Sequence, residues 1–188
     1  MTATPPRTEP ILLPDALQQP SPNQDERPSG CSVDLLVIHN ISLPPGEFGG
    51  PWIDHLFHNQ LDSSLHPYFQ EIHQLRVSSH LLIRRDGQLI QYVPLNLRAW
   101  HAGHSTFQGR ERCNDFSIGI ELEGTDDLPY TDAQYATLIK TTREILARFP
   151  DITPDRIVGH ADISPGRKTD PGVAFDWHRY QQMLGQAT

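Results

Sequence analysis

Hydrophobic and polar positions follow two different periods along this chain, and each change of period marks an element. Residues 33–38 form a short, nearly continuous apolar run, the pattern of a strand buried on both faces. It runs out at His39 and Asn40. Pro44-Pro45-Gly46 and Gly49-Gly50-Pro51 punctuate a loop, and Pro51 starts a short helix over residues 52–59. Residues 60–76 show no clear period. From 77 to 93, two β-rich runs flank Asp86-Gly87, a strong hairpin signal. Residues 98–112 have the composition of a loop. Residues 116–124 alternate: Phe116, Ile118, Ile120 and Leu122 fall on a core face, and Ser117, Gly119, Glu121 and Glu123 on the other. Thr131 and Gln134 have the spacing of a capping box. Tyr135, Leu138, Ile139, Thr142, Ile145, Leu146 and Phe149 continue at helical spacing until Pro150. Residues 157–159 read as a short strand closed by His160. A loop with glycines and a last helix near residues 175–184 follow.

Strands, one hairpin and crossover helices place the chain in the α/β class, with a mixed central β-sheet flanked by helices. Its 188 residues fit one domain, set at 31–185. Residues 1–30, rich in Pro, Gln, Ser and Asn, read as an irregular arm without a core of its own. The apolar group Ile11, Leu12 and Leu13 favours the alternative of an arm packed across the domain surface.

Charge and composition narrow the classes. A formal net charge of −8 with no long basic run argues against a nucleic-acid partner. No stretch reaches the roughly 18 apolar residues of a membrane span, and the first residues lack the basic and apolar regions of a signal peptide. A cytoplasmic monomer acting on a small molecule is expected. Cys31 and Cys113 lie outside any CxxC or Cys/His cluster and read as two free thiols.

Histidine is the unusual component, with ten residues. His39, Glu121 and His160 lie on or at the ends of expected strands, where ligands gather in open α/β sheets. Pro165-Gly166 and Pro171-Gly172 give the following loop two turns, which could return Asp170 to the side of His160; Asp162 competes for the same place. Two histidines and a carboxylate leave one position open on a tetrahedral zinc, and zinc makes hydroxide available near neutral pH. A general base and a cation for the oxyanion would complete an amide hydrolase. Glu123 shares a face with Glu121, so spacing does not choose between them. Gly119, on that face, leaves room for a metal or substrate. His55 and His58, at i and i+3, lack an evident third ligand.

Longer motifs go further. Val37-Ile38-His39-Asn40-Ile41-Ser42-Leu43-Pro44-Pro45-Gly46, His66-Pro67-Tyr68-Phe69, Val77-Ser78-Ser79-His80, Arg98-Ala99-Trp100-His101-Ala102-Gly103, Gly109-Arg110-Glu111-Arg112-Cys113-Asn114-Asp115-Phe116, Ile118-Gly119-Ile120-Glu121-Leu122-Glu123 and Arg167-Lys168-Thr169-Asp170-Pro171-Gly172 run in unbroken order. From about residue 20 to 180 the chain resembles the cytoplasmic 1,6-anhydro-N-acetylmuramyl-L-alanine amidases, the AmpD type. More distantly it is similar to phage amidase lysozymes and peptidoglycan recognition proteins.

The resemblance implies a single domain of the amidase and recognition-protein type. It implies Zn2+ held by His39, His160 and Asp170, catalysis by Glu121 and Lys168, and hydrolysis of the amide between a muramyl lactyl group and L-alanine during peptidoglycan recycling. Asn40, Arg76, Trp100, His101 and Arg112 are the candidate substrate contacts. The two arginines are suited to peptide carboxylates, and Trp100 and His101 to lining the groove. His80 is expected to be structural. The alternatives are a muramyl-peptide-binding module without catalysis, and a periplasmic amidase acting on intact peptidoglycan.

Overall fold

The computed structural model describes residues 9–185. In chain order its strands are β1 (Leu17–Gln18), β2 (Gln24–Asp25), β3 (Leu35–Ile41), β4 (Leu81–Ile83), β5 (Leu89–Gln91), β6 (Arg98–Ala99), β7 (Thr106–Phe107), β8 (Arg110–Glu111), β9 (Ser117–Glu123) and β10 (Ile157–Gly159). Its helices are α1 (Trp52–Phe57), α2 (Pro67–Ile72), α3 (Asp132–Arg148), α4 (His160–Ile163) and α5 (Trp177–Gly185). No helix among the described residues is long and apolar enough to cross a membrane.

The main sheet has the order β1-β5-β4-β9-β3-β10. β10, β3, β9 and β4 are mutually parallel, β5 runs antiparallel to β4, and β1 is parallel to β5. The sheet is therefore mixed, as expected. β9 is buried along its whole length and β3 over its first five residues, which is why both read as apolar or alternating without an exposed face.

The two faces of the sheet differ in kind. Leu36 and Ile38 of β3, Ile118, Ile120 and Leu122 of β9, and Leu81 and Ile83 of β4 pack against Tyr135, Leu138, Ile139 and Ile145 of α3 and Tyr180 of α5. α3 opens on the expected capping box: the Gln134 N–H donates to Thr131 Oγ1 and the Thr131 N–H to Gln134 Oε1, both at 3.1 Å. Gln134 then donates through Nε2 to the Glu123 and Ile83 carbonyls, which ties the helix start to the sheet. On the opposite face, Leu35 and Val37 pack with Ala102, Cys113, Phe116 and Ile163. Leu82 packs there with Ile53, Leu56, Phe57, Phe69 and Tyr92. His39 and Glu121 lie on this second face, bordered by the two clusters.

Several expectations change. Phe116 leaves the Ile118 face because it closes a 3-10 turn over Cys113–Asp115, with φ −131° and ψ 9°. That bend turns its ring into the cluster with Leu35. Residues 60–76 contain α2, whose start is capped by the His66 ring accepting the Tyr68 N–H. β3 continues past His39 to Ile41 because β9 keeps pairing with it through Ile41 and Glu123. α1 stops at Phe57, two residues short of the expected end. His160 opens α4 rather than closing β10. The hairpin forms, with Gly87 at φ +88°, a conformation that favours glycine.

Of the two expectations for the arm, residues 9–30 follow the packed one. Leu13 is 1% exposed and belongs to the α3-side core, β1 adds to the sheet edge beside β5, and β2 pairs with β6. Arg27 reaches under the sheet end and donates to the carbonyls of Asn114, Asp115, Leu95 and Ser117. Residues 1–8 of the expected arm lie outside the described residues. Cys31 and Cys113 are unpaired thiols.

Candidate active site

β3, α4 and the loop after it converge beyond the sheet. His39 Nδ1 stands 3.0 Å from His160 Nδ1, and each stands 3.1 Å from Asp170 Oδ2. Among the described residues this is the one group of three or more His, Cys, Asp or Glu side chains placed to hold a metal ion. His55 and His58 stay apart from it, and the His58 ring contacts the Asp54 carbonyl. Asp162, the other aspartate open to sequence reasoning, accepts the Gly159 N–H at 2.7 Å at the start of α4.

The hydrogen bonds fix how the imidazoles are protonated. Ser117 Oγ donates to the Cys113 carbonyl at 2.6 Å, so it accepts from His101 Nε2–H at 3.0 Å. His101 Nδ1 then carries a lone pair and accepts from His39 Nε2–H at 2.8 Å. His39 Nδ1 is left with a lone pair facing the cluster. His160 Nε2 is 3.2 Å from the Ala102 carbonyl, to which it donates; Arg167 Nη2, 3.3 Å from the same nitrogen, spends its protons on the nearer oxygens of Ala102, His104 and Ser164, so His160 Nδ1 also faces the cluster unprotonated. Two imidazole lone pairs and a carboxylate oxygen thus point at one another with no proton between them. That donor set fits a cation. Tetrahedral zinc with bonds of roughly 2.0–2.1 Å separates neighbouring ligand atoms by roughly 3.3 Å, close to the edges of this triangle.

Electrostatics agree with that assignment. Burial pushes the His39 imidazole down to about 4, against the pull of Asp170. Burial, then the neighbouring imidazoles, holds His101 well below its ordinary value. For Asp170, burial alone would raise the carboxyl, but the His160 and His39 rings beside it outweigh burial and hold the group below the usual carboxylate range.

Glu121 pairs with His39 in the β3–β9 register and lines the same cleft. It is 8% exposed, and its Oε2 is buried without a hydrogen-bond partner. Burial first, and the charge of Asp170 second, push its carboxyl well above the ordinary range, while Lys168 pulls it back. Glu123 differs: it accepts the Gly49 and Arg85 N–H groups and pairs with Arg84. The shared face thus carries two unlike carboxylates: Glu123 is fully occupied, and Glu121 is open to the cleft.

The cleft holds about 560 Å³, within the usual range for small-ligand sites. His39, Glu121, Lys168 and Asp170 line one side, and Leu56, Ile72, Leu75 and Val77 contribute apolar surface. Lys168 is exposed. Trp100 lines the cleft and donates its indole N–H to Asp25 of the arm.

Other expected contacts sit differently. Asn40 reaches the cleft, but its amide donates to Asp126 Oδ1 and the Pro171 carbonyl, holding the loop that carries Asp170. His101 touches the cleft with both ring nitrogens engaged, so it has no polar atom free for substrate. The space above Gly119, expected for metal or substrate, is filled by the His101 ring; a Cβ there would lie 2.5 Å from His101 Nδ1. Arg76 lies between the lining residues Leu75 and Val77 but turns outward, donating to the Gln74 and Leu75 carbonyls. Arg112 is 71% exposed at the side chain and paired with Asp115, in a neighbouring depression with Gly103 and His104. His80 accepts the Gly119 N–H through Nδ1 at 3.0 Å and contacts the Leu97 carbonyl through Nε2, the structural place expected for it. Ser117 escaped sequence reasoning because an inward serine on a strand carries no pattern of its own.

Comparison with known proteins points the same way. The N-acetylmuramoyl-L-alanine amidase family model, Amidase_2, matches residues 29–173. The 1,6-anhydro-N-acetylmuramyl-L-alanine amidase AmpD of Enterobacter cloacae is 62% identical over 172 residues, 92% of this chain and 91% of that protein. AmpD of Escherichia coli K12 is 61% identical over 173 residues, 92% and 94% of the two chains. A crystal structure of a selenomethionine AmpD derivative superposes with a TM-score of 0.90 at 59% identity, covering 92% of this chain and 96% of that one. The amidase AmiD of E. coli, solved in complex with anhydro-N-acetylmuramic acid-L-Ala-D-gamma-Glu-L-Lys, gives a TM-score of 0.60 at 31% identity, covering 84% and 60%. With a metal-ready triangle, an unpartnered carboxyl beside it and likeness of this extent, the chain belongs to the N-acetylmuramoyl-L-alanine amidase family.

Proposed function

We propose that this protein is a zinc-dependent amidase that cleaves the bond between the lactyl group of 1,6-anhydro-N-acetylmuramic acid and the L-alanine of its stem peptide, in peptidoglycan recycling. The observation that carries the zinc assignment is the triangle of His39, His160 and Asp170, whose facing atoms have no proton to share. Relatives about 60% identical and named for the anhydro-muramyl substrate support the choice of bond.

When bound, zinc supplies Lewis-acid polarisation of the amide and activation of water. Glu121 is the base: buried, unpartnered and beside His39, it takes a proton from the attacking water and returns it to the leaving alanine amine. Its raised proton affinity suits a group that must hold that proton between the two steps. Lys168 extends a cation over the cleft, where it stabilises the charge developing on the carbonyl oxygen. Asn40 keeps Asp170 in place through the Pro171 carbonyl. Trp100 offers an apolar wall to the sugar or peptide. Arg76 and Arg112, exposed at or near the rim, contact carboxylates of the peptide beyond the cleft. Unchanged KM values in Arg76→Ala and Arg112→Ala would remove that contact. The protein works as a cytoplasmic monomer in this scheme, which cell fractionation and sedimentation test.

Incubating the zinc-loaded protein with anhydro and reduced muramyl peptides, and weighing the products, decides the activity. Intact peptide released from the lactyl group is expected, faster from the anhydro sugar. Retention without cleavage would instead indicate a binding module, and equal cleavage of intact peptidoglycan would favour the periplasmic alternative.

A further inference from the structure

The cleft wall contains a one-way hydrogen-bond chain that the proposed reaction does not use. It starts at the Cys113 carbonyl, passes through Ser117 Oγ and both nitrogens of His101, and ends on His39 Nε2. Every link is short, at 2.6, 3.0 and 2.8 Å in that order. Ser117 is fully buried, His101 is 8% exposed and His39 is 1% exposed, so the serine end of the chain is closed to bulk water. The His101 backbone is held as well, since its N–H and that of Ala102 both donate to Asn114 Oδ1. Its ring rests in a cradle that exists only because residue 119 is glycine.

We propose that this chain sets the tautomer and ring orientation of His39, making His101 and Ser117 positioning residues for the metal site. The physical reason is directional. Ser117 has one hydroxyl proton, and the Cys113 carbonyl can only accept it. Each later imidazole must therefore donate towards Ser117 and accept from the other side. At the far end, His39 can present only a lone pair to the cluster. With the chain cut at Ser117, His101 is free to take the other tautomer, its Nδ1–H facing His39. His39 then keeps its proton on Nδ1, between the atoms that would hold the ion. Outer partners of metal-binding histidines typically contribute 10–100-fold to metal affinity.

The inference rests on the metal-site part of the proposed function, and the controls separate the two. Zinc affinity is measured by chelator competition for the wild type and for Ser117→Ala, Ser117→Thr, His101→Phe and His101→Gln. Long-range 1H–15N spectra of the metal-free protein report the imidazole tautomers. Wild-type His39 and His101 are expected to be protonated at Nε2 and bare at Nδ1. Ser117→Ala and His101→Phe are expected to lose about 10–100-fold in zinc affinity, while Ser117→Thr retains it and His101→Gln, whose amide oxygen can accept from His39, recovers part. Gly119→Ala, which displaces the His101 ring, should fall with His101→Phe. If His101→Phe fails to fold, Ser117→Ala against Ser117→Thr decides alone, because neither side chain touches the metal group. Wild-type affinity in Ser117→Ala, or His39 protonated at Nδ1 in the wild type, overturns the inference. Failure of the wild type to bind zinc overturns the metal site itself.

Discussion

His39 and Glu121 are register partners across the parallel β3–β9 pair and project from the same face of the sheet. One imidazole lone pair faces the metal-ready triangle, and the adjacent carboxyl has a buried oxygen without a partner. The proposed ligand and the proposed base are thus held at fixed spacing by backbone hydrogen bonds rather than by a loop. Glu121→Gln keeps the shape and removes the base. Turnover should drop by about 10²–10⁴-fold, with zinc stoichiometry and folding retained. Near-normal kcat in that variant would place the base elsewhere.

Lys168 sits on the exposed stretch between α4 and Asp170. Lys168→Ala should lower kcat by about 10²–10³-fold and change stability by no more than about 0.5 kcal/mol, since no buried packing is lost. Steady-state kinetics with a thermal melt checks both. A rate equal to wild type would remove the oxyanion role.

Metal removal should be visible as stability. A ligand at a hundred times its Kd stabilises the folded state by about 2.7 kcal/mol, which in a domain of this size is roughly 5–10 °C in Tm. Chelation should lower Tm by that order and zinc should restore it, while Asp170→Ala should show little response to zinc. A zinc-independent Tm in the wild type would contradict the site.

The arm is a test of packing far from the chemistry. Leu13 is 1% exposed and its neighbour Leu12 is 44% exposed. Leu13→Ala should destabilise by about 2–5 kcal/mol, and Leu12→Ala should fall within about 0.5 kcal/mol of wild type. Denaturant midpoints compare them directly; equal midpoints would mean that the arm does not share the core.

Much of the frame was legible in the residues, because the signals are local. β9 announced itself by alternation, α3 by its capping box and spacing, and the β4–β5 turn by Asp86-Gly87. Phe116 misled because a 3-10 turn broke the period one residue before the strand. The arm gave only Ile11 to Leu13 as a hint. Its two short strands pair with partners more than seventy residues away, and pairing at that distance leaves no periodic trace in so short a segment.

The site divides in the same way. Sequence determined that histidines and carboxylates stand at strand ends, and the ordered resemblance selected His39, His160, Asp170, Glu121 and Lys168 from them. Taken by themselves, the residues left Asp162 beside Asp170 and Glu123 beside Glu121. Tertiary structure separates each pair by which carboxylate is occupied: Asp162 by the Gly159 N–H, Glu123 by Gly49, Arg84 and Arg85. It also places the His101 ring against His39 Nε2 while the residue still lines the cleft. The physical reason is that a hydrogen bond consumes a donor or acceptor, and which groups are consumed depends on neighbours brought together by the sheet from distant parts of the chain.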